Sequence, residues 1–293
     1  MTEDRAGLIA ALVSFVCWGL SPAFFKFLGA VSPAIIIGHR VIWAALLLAA
    51  FLYWRDGRAM RSALRLEPRQ YLGLAITAAL ISGNWLLFVW AVNNGQVLAT
   101  SLGYFINPLI TVLLGLVVLR ERLGPRKQVA VVIATVATIG LGWILGEPPW
   151  IALGLAFSFG IYGLLRKMLR VRPLVGLLWE TLLMLPLALW YLGGVAGFDA
   201  AWTTIATTDR LLLVVSGLVT IVPLIAFNIA AQKLPLNTLG FLQYLAPTIS
   251  FVLAVFVYRE PFGLAQLVAF SGIWVALVLF TLPERRVREA SPG

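Results

Sequence analysis

Cysteine and histidine each occur once in this 293-residue chain, and acidic side chains number only 12. A lone Cys17 rules out an internal disulfide and reads as a small packing residue. A lone His39 rules out the paired histidines of an H-E-x-x-H zinc site. No Gly-x-Ser-x-Gly elbow and no Walker A loop is present, and acidic clusters that would suit a divalent metal are missing from the apolar stretches. No enzyme, no cofactor and no bound metal is therefore expected. Charge is scarce as well, at 12% of residues, and no connection is long enough to fold as a soluble domain.

Apolar residues fill that space. They make up 61% of the chain, with a mean hydropathy of +0.96, which excludes an ordinary soluble domain. Runs of about eighteen residues or more recur from end to end, enough for a helix to cross roughly 30 Å of hydrocarbon. Spans are expected at 7–25, 33–54, 70–92, 98–119, 125–145, 149–165, 174–195, 210–232, 238–258 and 263–282. Glu3 and Asp4 ahead of the first run argue against a signal peptide. The net charge of +10 is topological information, because Lys and Arg gather in alternate loops. Arg5, the 55–69 loop, Arg120 to Lys127, Arg166 to Arg172, Lys233 and the tail hold 18 of the 22 basic residues. That bias places both termini in the cytoplasm, and it leaves nucleic acid without a role.

The chain also repeats itself. Pro108, Arg120, Glu121 and Gly124 recur 139 residues later as Pro247, Arg259, Glu260 and Gly263, with Phe88/Phe227 and Ala91/Ala230 in the same register. Five spans per copy is an odd number, so the second copy runs upside down. The expected architecture is an all-α membrane protein of ten transmembrane helices in two inverted five-helix repeats, residues 1–145 and 146–293. Duplication of this kind points to a transporter. The Arg-Glu corners themselves read as scaffolding, either solvated turns or latches between loops.

Polar side chains inside spans are costly and are the candidate functional groups. Arg40 and Glu180 occupy equivalent places in the second and seventh spans, at depths that differ by roughly 10 Å. One reading has Arg40 attracting an anionic substrate group while Glu180, assisted by His39, carries a proton. The other makes both structural, with Glu180 satisfied by a hydroxyl or a tyrosine. Asn84, Trp85, Tyr104, Asn107, Tyr162, Gln243 and Tyr244 are the further candidates for substrate contact. Pro108, Pro186, Pro223 and Pro247 are the candidate kinks, where a missing N–H frees a backbone carbonyl.

The segments HRVIW (39–43), GNWLLFVWAVNN (83–94), SLGYFINPL (101–109), IALGLAFSFGIYGLLRK (151–167) and TLGFLQYLAP (238–247) resemble RarD-type permeases. These form part of the EamA branch of the drug/metabolite transporter superfamily. The resemblance covers nearly the whole chain. It implies a multi-pass carrier of the bacterial inner membrane with a central cavity between inverted halves, and chloramphenicol figures in the family's label. The expected partners are the lipid bilayer, a small-molecule substrate and protons as coupling ion. The expected function is export of small amphipathic molecules by alternating access, with a uniporter or channel-like facilitator of small metabolites as the alternative.

Overall fold

Proline punctuates the helix starts. Five helices open on it, where its missing N–H is one the first turn leaves unbonded anyway. The computed structural model describes residues 3–55, 65–93, 97–145, 149–197, 202–203, 205–259 and 263–282. Its helices are α1 (Glu3–Lys26), α2 (Pro33–Arg55), α3 (Pro68–Asn93), α4 (Val97–Val117), α5 (Pro125–Leu145) and α6 (Pro149–Leu169). They continue with α7 (Pro173–Trp190), α8 (Thr207–Lys233), α9 (Leu236–Gln243), α10 (Leu245–Val252) and α11 (Leu264–Thr281). Wider turns at Tyr191–Val195 and Leu253–Val257 prolong α7 and α10. The described residues contain no strand. Glu260, Asn94 and, within the basic loop and tail counted above, Arg58, Arg61, Arg285, Arg286 and Arg288 lie outside the described residues.

Every expected span coincides with a helical stretch, and among the described residues 7 of these are long and apolar enough to cross a membrane by length and composition. Trp54, Trp143, Phe256 and Leu264 project outward, as a surface in contact with lipid requires. α6 overruns its expected end by one turn, to Leu169, which carries Arg166 into the bundle. Pro108, Pro186 and Pro223 sit inside unbroken helices, whereas the ninth span breaks at Tyr244, one turn before the place where Pro247 would need a partner for Gln243.

Helices of the two sequence halves are interleaved. The most extensive packings join α4 to α6, α1 to α8, α5 to α11, α2 to α8, α4 to α9, α3 to α6 and α2 to α7. These contacts define one bundle of α3, α4, α6 and α7, and another of α1, α2, α8, α9 and α10. The α2–α7 and α4–α9 contacts join the two bundles. Glycines allow the close approaches: a Cβ at Gly217 would stand 2.9 Å from the Trp43 carbonyl carbon, and one at Gly240 would stand 2.9 Å from the Pro108 oxygen. The two Arg-Glu corners are alike in backbone, for Arg120 and Arg259 both take φ 54°. In the same register, the Leu119 N–H donates to Leu114 O at 3.4 Å and the Tyr258 N–H to Leu253 O at 2.9 Å.

These close approaches give the first prediction. Gly240→Ala overpacks the α4–α9 contact and costs about 1–3 kcal/mol, seen as a lowered unfolding midpoint in detergent. Gly83→Ala, where a Cβ meets nothing within 4 Å, leaves the midpoint unchanged.

Candidate functional site

Polar groups on α6 form one stripe: Ser158, Tyr162 and Arg166 follow each other at four-residue spacing, hence on one helix face. That face meets α3 and α7. Asn84 on α3 donates to Ser158 Oγ at 2.8 Å and to Leu155 O at 2.9 Å. One turn further along the stripe, Tyr162 donates to Glu180 Oε2 at 3.4 Å, and Asn228 on α8 donates to the Tyr162 hydroxyl at 3.2 Å. Thr77 on α3 donates to Glu180 Oε1 at 2.6 Å. Arg166 Nε lies 3.7 Å from Glu180 Oε1 and donates to Asn228 Oδ1 at 2.9 Å.

The Arg166 and Glu180 side chains are 0% and 2% exposed. Two opposite charges thus share a dry site ringed by a hydroxyl, a phenol and an amide, which is the condition for tolerating them there. Gly176 makes room for the guanidinium: a Cβ there would fall 2.0 Å from Arg166 Nη1. One expectation needs correcting: Arg166, counted above as a loop charge, is the buried partner of Glu180. Arg40 is bonded elsewhere, to Thr220.

A second polar assembly closes one end of the molecule, the end at which α1 begins. The corner between α8 and α9 is gripped from both sides. Glu121 accepts the N–H groups of Leu236 at 2.6 Å and Asn237 at 2.8 Å, the unbonded amides of the first turn of α9. Lys167 donates to Ala231 O at 3.1 Å and to Leu234 O, the carbonyls at the end of α8. Gln232 adds a bond to Val171 O at 2.6 Å. A Cβ on Gly115 would come 2.7 Å from Glu121 Oε2, so only glycine leaves the carboxylate its seat. Glu121 and Lys167 belong to the α3–α4–α6–α7 bundle, and the corner they hold belongs to the other. The Glu121 corner is therefore a latch, one of the two readings its sequence allowed.

Toward the opposite end, Arg40 stands between the bundles. Its Nε donates to Thr220 Oγ1 at 2.8 Å, and the Thr220 hydroxyl donates to Ser216 O at 2.8 Å. The guanidinium lies 4.9 Å from the Trp85 ring centre and 5.1 Å from that of Phe25. Tyr104 is in electrostatic range, half exposed, and edge-on to Phe88 at 6.0 Å. His39 turns to the Trp202 ring at 5.3 Å, while the bonds around Glu180 come from Thr77, Tyr162 and Arg166.

Between these levels, Trp18, Phe159, Phe227 and Tyr162 form an aromatic column joining α1, α6 and α8. Beside the break after α9, Thr111 donates to Asn107 O at 3.0 Å and lies 3.4 Å from Gln243 Oε1. Asn107 Oδ1 and Gln243 Nε2 are buried there without partners. Tyr244 instead packs with Phe241 in the apolar cluster against α11.

Thus the structure brings Tyr162 to Glu180, Trp85 and Tyr104 to Arg40, and Asn107 to Gln243, while Asn84 bonds within its own bundle. Thr77, Arg166, Asn228, Thr220 and Phe25 were missed as site residues. The α6 stripe of polar residues at four-residue spacing was the available signal for Arg166. No group of three or more His, Cys, Asp or Glu that could hold a metal occurs among the described residues.

Apolar helices around buried polar clusters define a multi-pass helical membrane protein of transporter type. Residues 5–143 match the EamA-like transporter family. The chain is 44% identical over 282 residues to the protein RarD of Salmonella typhimurium, with 96% of each chain covered. It is 40% identical over 298 residues to an uncharacterized transporter of Bacillus subtilis, covering 99% of this chain and 98% of that one. To the chloramphenicol-sensitive protein RarD of Pseudomonas aeruginosa it is 32% identical over 283 residues, covering 95% and 94%. The protein belongs to the EamA-like transporter family and is a RarD-type permease of a bacterial membrane. A solved crystal structure with 18% identity superposes with a TM-score of 0.75, over 97% of this chain and 100% of that one, and so shares the fold.

The buried pair yields a prediction about stability. Glu180→Leu strands the Arg166 charge and lowers stability by about 3–5 kcal/mol. The double variant Arg166→Met/Glu180→Leu recovers most of that loss, because both charges leave together. Unfolding midpoints of the singles and the double, read as a double-mutant cycle, check it. Purely additive losses would contradict the coupling.

Proposed function

We propose that this protein is a secondary carrier that moves small amphipathic molecules, outward, across the bacterial inner membrane by alternating access. In this reading all ten helical stretches span the bilayer, both termini are cytoplasmic, and residues 1–145 and 146–293 are inverted repeats. The pattern of packing supports the repeat. If each helix is exchanged for its counterpart (α1 with α6, α2 with α7, α3 with α8, α4 with α9 and α10, α5 with α11), every major contact maps onto itself or onto another contact of the bundle. The bodies that move are then the two interleaved bundles, each drawing helices from both repeats.

The observation that carries this reading is where the polar groups sit relative to those bundles. Arg40, Phe25 and Thr220 face Trp85 and Tyr104 across the interface at one end. At the other end, taken as cytoplasmic, Glu121 and Lys167 clamp the bundles together. A site whose Arg40 and Tyr104 are partly exposed at one end, with a clamp at the other, fits an outward-facing arrangement. Release of the clamp and closure around Arg40 give the inward-facing one. Asn107 Oδ1 and Gln243 Nε2, buried without partners, lie on the path between them in this reading.

Glu180 is the coupling group in this proposal. Its protonation leaves Arg166 without a counterion and so disturbs the contact with Asn228, the network's link to the other bundle. A specific observation favours proton-independent facilitation as the second reading: Arg166 already balances Glu180 within one bundle. Reconstituted vesicles decide between them. Ligands are first chosen by thermal stabilisation over amino acids, aromatic acids and phenicols. A proton-coupled carrier accumulates a stabilising ligand when a pH gradient is imposed, and Glu180→Gln keeps counterflow but loses accumulation. Accumulation unchanged in Glu180→Gln would remove the coupling role and leave the second reading. Unsaturable flux without counterflow would remove the carrier.

A further inference from the structure

Among the described residues, Arg40 is a cation without a counterion. Its one hydrogen bond among the described residues runs from Nε to Thr220, and no described carboxylate pairs with it. Glu180, the acidic group buried among the helices, is committed to Arg166, Thr77 and Tyr162. Lys26, near the same end, is spent on the Tyr258 ring at 3.5 Å. A half-buried guanidinium beside apolar helices is costly unless something offsets it. Two ring faces and a hydroxyl do so only in part.

What remains open on Arg40 is specific. Phe25 and Trp85 lie against the guanidinium group, and Thr220 takes Nε. The Thr220 proton is committed to Ser216 O, so its oxygen is turned toward Arg40 as an acceptor. The two Nη groups carry no hydrogen bond, and they are not among the side-chain nitrogens sealed away from solvent, as Arg166 Nη1 is. Two parallel N–H donors on that edge fit the two oxygens of a carboxylate. Trp85, Phe25 and the half-exposed Tyr104 then offer apolar surface to whatever the carboxylate is attached to.

We infer that the Arg40 site takes amphipathic organic monoanions, a single carboxylate on an aromatic or other apolar body. One unpaired cation fits one negative charge; a phosphate dianion would call for a second. This inference rests on the carrier reading and names the substrate class of its site.

The test compares 3-phenylpropionate with its neutral amide and with 3-phenylpropylammonium. Binding is measured by calorimetry on protein in phosphatidylcholine nanodiscs, where no anionic headgroup competes. The wild type is expected to hold the carboxylate at least about tenfold more tightly than the amide, and the ammonium most weakly. Arg40→Gln abolishes the preference, and Arg40→Lys loses most of it because an ammonium offers no planar fork. Should Arg40→Gln fail to fold, Thr220→Val keeps the charge but frees Nε and weakens carboxylate binding several-fold, with the amide unaffected. Equal binding of carboxylate and amide by the wild type, or a preference that survives Arg40→Gln, overturns the inference. Counterflow of the amide in Arg40→Gln vesicles separates the two levels: if it persists while the preference is lost, carrier and inference both stand. If no probe shows saturable flux in the wild type although the binding preference is present, the carrier reading alone fails.

Discussion

A charge inside an apolar helical bundle must be neutralised by another group of the protein or by a ligand, and much of this structure follows from how its few charges meet that demand. Arg166 and Glu180 meet it with each other. They lie side by side, and Thr77, Tyr162 and Asn228 satisfy much of what their pairing leaves over. The requirement fixes the rotation of α6, whose polar stripe must face α3 and α7. It also explains Gly176, the one residue small enough to lie under the guanidinium. Neighbouring helices are then positioned by close backbone contacts at Gly217 and Gly240, in a setting where packing rather than the hydrophobic effect holds helices together.

The same demand is met differently at the ends. Glu121 and Lys167 are neutralised by the helix termini of the α8–α9 corner, an anion on free amides and a cation on free carbonyls. Neither needs a partner side chain, so the clamp depends only on the corner being in place. Arg40 is the group whose demand is met in part, by Thr220 and two aromatic rings. In the proposed carrier, the buried Arg166–Glu180 pair would be the frame, the Glu121 clamp the gate and Arg40 the site.

The helices were legible in the sequence because a span has to be apolar along its whole length. The two related corners were legible because Pro108 and Pro247 stand at a constant offset from Arg120 and Arg259, and the shared φ 54° gives that spacing a backbone counterpart. The packing was not legible. A repeat offset says which helices correspond, and says nothing about which ones touch, so the interleaving of the halves had to come from the structure. Arg166 was misassigned because its neighbours Lys167, Arg170 and Arg172 are read as a loop, although α6 runs on to Leu169. Arg40 and Glu180 were found by their cost in hydrocarbon, and a hydroxyl or a tyrosine for Glu180 was one of the readings, but neither the identity of these residues nor Arg166 beside them was legible. Thr77, Asn228 and Thr220 are ordinary helix residues until a charge is seen beside them.

The central claim is that the Glu121 clamp and the Arg40 site lie at opposite ends of one path and open in turn. With Cys17 replaced by serine, single cysteines at Tyr104, half exposed at the Arg40 site, and at Leu236, buried under the clamp, report on the two ends through their reaction rates with a water-soluble maleimide. The account predicts faster labelling at 104 than at 236, and a reversal when Glu121→Ala removes the clamp: labelling rises at 236 and falls at 104. Labelling that rises at both positions, or that changes at 236 alone, would contradict it.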